Sequence, residues 1–250
     1  MDVPKLQLAL DTYDLPSALA PLQKAHAYVD VIEVGTILCL AEGMRAVQII
    51  RSLFPAKTIL ADVRIIEAGS LISKLAFDAG ADWVTVASAA TLTTAEVVAK
   101  EAQKRGGEVQ IELIDGWAWD MTRRWLDLGI CQVITHRSRD GEAKGELSWS
   151  ERDFDEIRRL SDMGFKVTVT GGVKTTDFPL FADIPVYIFI VGRGIYKADD
   201  PESAARVVKE ALVKTFDSRL NSRSVNLRQI QSKRLPSPND GFQKAARSFS

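Results

Sequence analysis

Cysteine and histidine are scarce in this chain, two of each among 250 residues. Cys39 and Cys131 form no CxxC pair, so nothing reads as a zinc or dithiol redox motif. Both lie in apolar or helix-edge contexts, ILCL and GICQV, and are expected to pack as small buried hydrophobes. With no disulfide framework, a reducing compartment is expected, and the cytoplasm fits. No run of about 18 apolar residues occurs, so no membrane-spanning helix is expected. The opening MDVPKLQLALD is too short and too acidic for a signal peptide. An excess of one charge is also missing. The 32 Lys and Arg against 33 Asp and Glu give a net charge of −1, which offers no global attraction to nucleic acid or a membrane. A glycine-rich turn after the first strand is absent too. That position reads LALDTYDLP, which argues against an open doubly wound sheet.

What is present is an alternation of two textures. Short β-branched runs are expected as strands at 5–11, 29–35, 58–65, 82–88, 108–113, 132–137, 166–172 and 186–192. Amphipathic stretches between them predict helices at 15–27, 41–53, 68–79, 91–104, 118–128, 150–163, 174–182 and 201–215. Strand then helix, repeated, implies parallel strands joined by crossovers. Eight such units predict an α/β fold, a single (β/α)8 TIM barrel. Gly80 and Gly129 fit helix C-termini, and Pro16 fits a first helical turn. The texture changes near residue 216, which places the barrel at 1–216. The segment 217–250 holds seven basic and two acidic residues. It reads as a basic, solvated tail that buries little. Nucleic-acid binding through it is the weaker reading and requires salt-dependent affinity.

In a TIM barrel, chemistry sits at the C-terminal ends of the strands. Asp11 stands at the end of strand 1. Glu33 is on strand 2; Asp62 and Arg64 are on strand 3, with Glu67 just beyond; Glu112 is on strand 5. Strand 6 ends at His136, with Arg139 close behind, strand 7 at Thr170-Gly171-Gly172, and strand 8 at Gly192-Arg193-Gly194. Glu33, Asp62 and Glu112 interrupt apolar runs, and buried charges need partners or a metal. Converging carboxylates beside a cation suit Mg2+; a salt-bridge network with Arg64 is the competing reading. Glycines after strands 7 and 8 leave backbone N–H groups open to a phosphate, and Arg193 adds a forked cation. His136 is placed for proton transfer, or else is a rim histidine. His26, on the first helix, reads as structural or exposed.

These stretches resemble a known family. LQLALD, VDVIEVGTILCLAEG, ADWVTV, GEVQIEL, the HRSRD run and LSDMGFKVTVTGG are similar to those of the 3-keto-L-gulonate 6-phosphate decarboxylases. That group belongs to the orotidine 5′-monophosphate decarboxylase suprafamily, and its sister is hexulose-6-phosphate synthase. The resemblance spans about 5–215. Glu112, Arg139 and Thr170 resemble the decarboxylase choice over the synthase one. The resemblance implies Mg2+ on Glu33 and Asp62 and a cis-enediolate formed as CO2 leaves. His136 and Arg139 would then position water or supply the proton. Asp11, Glu33, Glu112 and Thr170 would bind substrate, and Gly171, Gly172, Gly192 and Arg193 the phosphate. It further implies a phosphorylated sugar-acid substrate, a role in ascorbate breakdown, and a homodimer with sites at the interface, where Glu67 reaches the neighbour. One motif departs. The family's Asp-x-Lys-x-x-Asp reads Asp62-Val63-Arg64-Ile65-Ile66-Glu67, which also keeps open a related aldol lyase or isomerase, or a non-catalytic sugar-phosphate-binding barrel.

Overall fold

The computed structural model describes residues 2–136 and 149–217. The readings of Arg139 and of the segment beyond 217 lie outside the described residues. Eight strands follow one another in chain order: β1 Lys5–Leu10, β2 Val31–Val34, β3 Thr58–Ile65, β4 Trp83–Ala87, β5 Glu108–Leu113, β6 Gln132–His136, β7 Lys166–Thr170 and β8 Ile188–Val191. Each pairs in parallel with the next, and β8 returns to β1, closing the barrel. The expected (β/α)8 architecture is therefore the observed one.

The two-residue period of a strand explains how one sequence faces two cores. Leu6, Leu8 and Leu10 of β1 belong to the large core between the sheet and the helices. Ala9 belongs to a second, smaller cluster with Val31, Leu60, Trp83, Ile134, Ile188 and Ile190. Polar side chains also occupy buried places along the strands, among them Gln7, Glu33, Asp62, Thr85, Gln110 and Glu112. Such groups persist only with partners, and the upper members of this set build the site.

The helices are α1 Leu15–Ala25, α2 Thr36–Glu42, α3 Arg45–Leu53, α4 Gly69–Asp78, α5 Leu92–Arg105, α6 Asp120–Asp127, α7 Glu151–Asp162, α8 Arg193–Tyr196 and α9 Pro201–Phe216. Local chemistry sets several ends. The Asp14 carboxylate accepts from Ser17 N at 2.7 Å to cap α1, with Pro16 in the first turn. Gly80 and Gly129 take φ of 100° and 79° just past α4 and α6. Among the described residues no helix is long and apolar enough to cross a membrane.

Three expectations fail locally. The single helix expected over 41–53 is two helices, parted where Gly43 turns to φ 64°. The stretch 174–182 forms only a 3-10 turn, Phe178–Phe181. There the Asp177 side chain accepts from Lys174 N at 2.9 Å. That local bond competes with helix formation, and Pro179 disfavours α geometry at Phe178. Cys131 is partly exposed; only Cys39 is buried.

Candidate active site

A pocket of about 200 Å³ opens at the C-terminal ends of the strands. Asp11, Glu33, Asp62, Arg64, Glu112, His136, Thr170, Gly171, Gly172, Gly192 and Arg193 all line it. Glu67 does not. It lies on the exposed turn after β3, outside the pocket of its own chain.

Strand 3 delivers two of these groups through an irregularity. Ala61 pairs with Val84, but the next pair is Ile65 with Val86. Asp62, Val63 and Arg64 therefore stand opposite Thr85 alone, as in a β-bulge. Arg64 takes φ 42°, a left-handed conformation that costs a non-glycine residue about 1–2 kcal/mol. Within it, Arg64 N donates to Thr85 Oγ1 at 2.8 Å. The guanidinium Nε lies 2.9 Å from Glu112 Oε2 and 3.4 Å from Asp62 Oδ2. Glu112 uses its other oxygen, Oε1, on His136 Nδ1 at 2.7 Å. One buried carboxylate thus links the arginine to the histidine.

Glu33 and Asp62 form the acidic half. Gln7 Nε2 donates to Glu33 Oε2 at 2.6 Å. Thr36 Oγ1 donates to Asp62 Oδ2 at 2.5 Å and Thr85 Oγ1 to Asp62 Oδ1 at 2.8 Å. Burial pushes the Glu33 carboxyl well above its ordinary range, and the negative Asp62 and Asp11 push it further; the Gln7 amide opposes this. Burial also raises the Asp62 carboxyl, with Glu112 adding to the rise. Arg64 and the two threonine hydroxyls pull against it. Burial works against the Arg64 cation, but Asp62, Glu112 and Glu33 outweigh it and raise its pKa.

Asp11 reaches the same mouth because its neighbour is bare. A Cβ on Gly35 would lie 2.4 Å from Asp11 Oδ1 and 2.9 Å from Leu10 O. Only glycine lets the two segments pass this closely.

The opposite wall is built for a different group. Gly171 and Gly172 take φ of 98° and 69°. A Cβ on Gly192 would sit 3.2 Å from Ala9 O. Bare backbone here, with Arg193 and Lys174 on the same wall, suits a phosphate.

Four carboxyl groups, Asp11, Glu33, Asp62 and Glu112, share the mouth with Arg64 and His136. Glu33 and Asp62 could hold a hard divalent cation through oxygen donors. Mg2+ takes one or two carboxylates and keeps positions for water and substrate, so this pair suffices. Among the described residues no three His, Cys, Asp or Glu side chains form a closed ligand set. The arrangement can fix a phosphorylated ligand at one wall and stabilise negative charge on vicinal oxygens at the other.

Sequence reasoning missed Lys174, Gly35, Thr36, Thr85 and Gln7. Lys174 lies two residues beyond the Gly-Gly pair, and that proximity was a usable signal. Thr36, Thr85 and Gln7 act through hydrogen bonds that cross strands, which no local pattern reveals.

The Orotidine 5′-phosphate decarboxylase / HUMPS family profile matches residues 4–208. The 3-keto-L-gulonate-6-phosphate decarboxylase UlaD of Salmonella paratyphi B is 48% identical over 216 residues, covering 86% of this chain and 100% of that protein. A crystal structure of KGPDC from Streptococcus mutans superposes with a TM-score of 0.83 at 39% identity, covering 86% of this chain and 99% of that one. 3-Hexulose-6-phosphate synthase from Salmonella typhimurium has a TM-score of 0.78 at 31% identity, covering 84% and 99%.

Proposed function

This chain belongs to the orotidine 5′-phosphate decarboxylase / HUMPS family, and on that premise we propose that it is a carboxy-lyase converting 3-keto-L-gulonate 6-phosphate to L-xylulose 5-phosphate and CO2. The observation that carries this reading is the mouth itself. It gathers Glu33, Asp62, Glu112, Arg64 and His136 on a barrel 48% identical to a 3-keto-L-gulonate-6-phosphate decarboxylase across that protein's whole length.

The chemistry follows from the substrate class. The carboxylate stands β to a ketone, so breaking its C–C bond sends the electron pair toward the ketone oxygen and leaves a cis-enediolate. Glu33 and Asp62 would hold Mg2+, which would supply electrostatic stabilisation of negative charge there. Arg64 adds a fixed cation in a partly dry site, where such stabilisation is a large catalytic contribution. Asp11 and Glu112 bind substrate hydroxyls. Thr170 binds substrate beside them, and Gly171, Gly172, Gly192 and Arg193 form the phosphate wall. A proton must then reach the carbon that lost CO2. Glu112 orients the His136 ring through Nδ1 and leaves its other nitrogen to deliver that proton or to place a water, with Arg139 assisting.

The protein acts as a homodimer. Ile66, Leu71 and Leu75 are 56%, 67% and 60% exposed, beside Glu67 and along α4. Leu71 and Leu75 are four residues apart and share one helix face. Pairing through this face covers them and carries Glu67 toward the neighbour's pocket. Two free thiols suit a reducing cytoplasm.

The test is CO2 release from 3-keto-L-gulonate 6-phosphate with and without Mg2+. Release that depends on the metal supports the reading. Aldol cleavage of a hexulose phosphate without CO2 release supports the synthase-like alternative.

A further inference from the structure

We propose that Thr85 is a positioning residue that sets both the Asp62 carboxylate and the Arg64 guanidinium, a role resting on the metal-assisted reading above. Thr85 is fully buried on β4 and is absent from the pocket lining. It cannot touch substrate and must act through others.

Its place in the sheet is unusual. Ala61 faces Val84 and Ile65 faces Val86, so three residues of β3 stand opposite Thr85. Where a ladder is stretched this way, regular backbone pairs are lost. The Thr85 side chain takes over one of them. Arg64 N donates to Thr85 Oγ1 at 2.8 Å. A backbone N–H can only donate, so the hydroxyl's own hydrogen is left for another acceptor. That acceptor is Asp62 Oδ1 at 2.8 Å. One hydroxyl therefore joins the left-handed Arg64 backbone to the carboxylate two residues earlier.

Each contact fixes a different thing. Asp62 receives Thr85 on Oδ1 and Thr36 on Oδ2. Donors on both oxygens fix the plane of a carboxylate that lines the pocket. Arg64 at φ 42° has no steric reason to stay left-handed; the bond at its N–H holds it there. From that backbone Nε sits 2.9 Å from Glu112 Oε2. Valine would keep the shape of the threonine side chain and lose both bonds. Serine would keep both bonds and lose the methyl.

Mg2+ affinity measured by isothermal titration on the full chain, with kcat and KM, separates Thr85→Val from Thr85→Ser. The valine variant is expected to weaken Mg2+ about 10–100-fold, as loss of a group that orients a metal ligand does. Its kcat is expected to fall by about 100-fold through misplacement of Arg64. Serine is expected to restore most of both. Affinity for inorganic phosphate, held on β7 and β8, is expected to stay unchanged in both variants. A folded valine variant with unaltered Mg2+ affinity and kcat overturns the proposal, as does a folded serine variant impaired as badly as valine. If valine does not fold, Thr85→Cys, with a weak thiol donor, is expected to fold and lose Mg2+ affinity; unaltered affinity there overturns the proposal equally. Absence of Mg2+ binding by the unsubstituted protein overturns the metal reading and this proposal together. Mg2+ binding without CO2 release removes the decarboxylase reading alone, and the affinity comparison still decides the role of Thr85.

Discussion

Glu33 carries a carboxyl that burial first, and then the neighbouring carboxylates Asp62, Asp11 and Glu112, push well above its ordinary range. Its folded pKa lies above its unfolded one, near 4.5. The stability it contributes is complete below that value and is lost as pH rises through the folded pKa. The metal-free protein should therefore lose stability relative to Glu33→Gln as pH is raised above the ordinary carboxyl range, read as a widening gap in Tm. Saturating Mg2+ should close the gap for the unsubstituted protein only, because a ligand of the folded state stabilises it. A gap that stays constant with pH contradicts the buried-charge account. Arg64 is the fixed cation of the same mouth, and Arg64→Met should lower kcat by about 100–1,000-fold with a smaller change in KM. Steady-state kinetics that show the loss in KM alone would place Arg64 in ground-state binding. Cys39 has its thiol pushed up to about 12, by burial first and then by Asp62, Glu33 and Asp11. It should resist iodoacetamide at about pH 8 while Cys131 is alkylated, as mass spectrometry of the labelled chain can show. At this scale the sequence revealed the charged groups because Glu33, Asp62 and Glu112 interrupt apolar runs. It could not reveal Gln7, Thr36 or Thr85. Their polar side chains look ordinary in a strand or helix, and only cross-strand distances show what they hold.

Strand ends and turns carry the next level of specification. Eight parallel strands were legible because each β-branched run meets an amphipathic stretch of the right length. The break between α2 and α3 was not, because the apolar period runs on through Gly43 while its φ of 64° parts the helices. The turn Phe178–Phe181 was hidden for a related reason: apolar spacing suggested a helix, and the Asp177 bond and Pro179 decided otherwise. The bulge in β3 had no signal in the local sequence pattern, because it shows only in the pairing of β3 with β4. At the β2–α2 junction the close approach of Gly35 to Asp11 makes a sharp test. Gly35→Ala puts a carbon 2.4 Å from Asp11 Oδ1, and overpacking of this kind costs about 1–3 kcal/mol. Activity should fall more than the drop in Tm explains, since Asp11 is displaced from the mouth. A variant with normal kcat and KM would show that Asp11 has no part in binding.

The whole molecule presents apolar side chains just after β3, at Ile66, and along α4, at Leu71 and Leu75, that a second copy can cover. For the proposed homodimer, Leu71→Glu with Leu75→Glu should give a monomer in light scattering and reduce turnover, because Glu67 would no longer reach the second copy's pocket. A fully active monomer would contradict the shared site. The central claim is the reaction. Mg2+-dependent CO2 release from 3-keto-L-gulonate 6-phosphate is measured on the unsubstituted protein, Glu33→Gln and His136→Ala. Decarboxylase function predicts turnover at roughly 1 s⁻¹ or above, abolished in Glu33→Gln and reduced in His136→Ala. A folded, Mg2+-supplied protein that releases no CO2 from this substrate contradicts it.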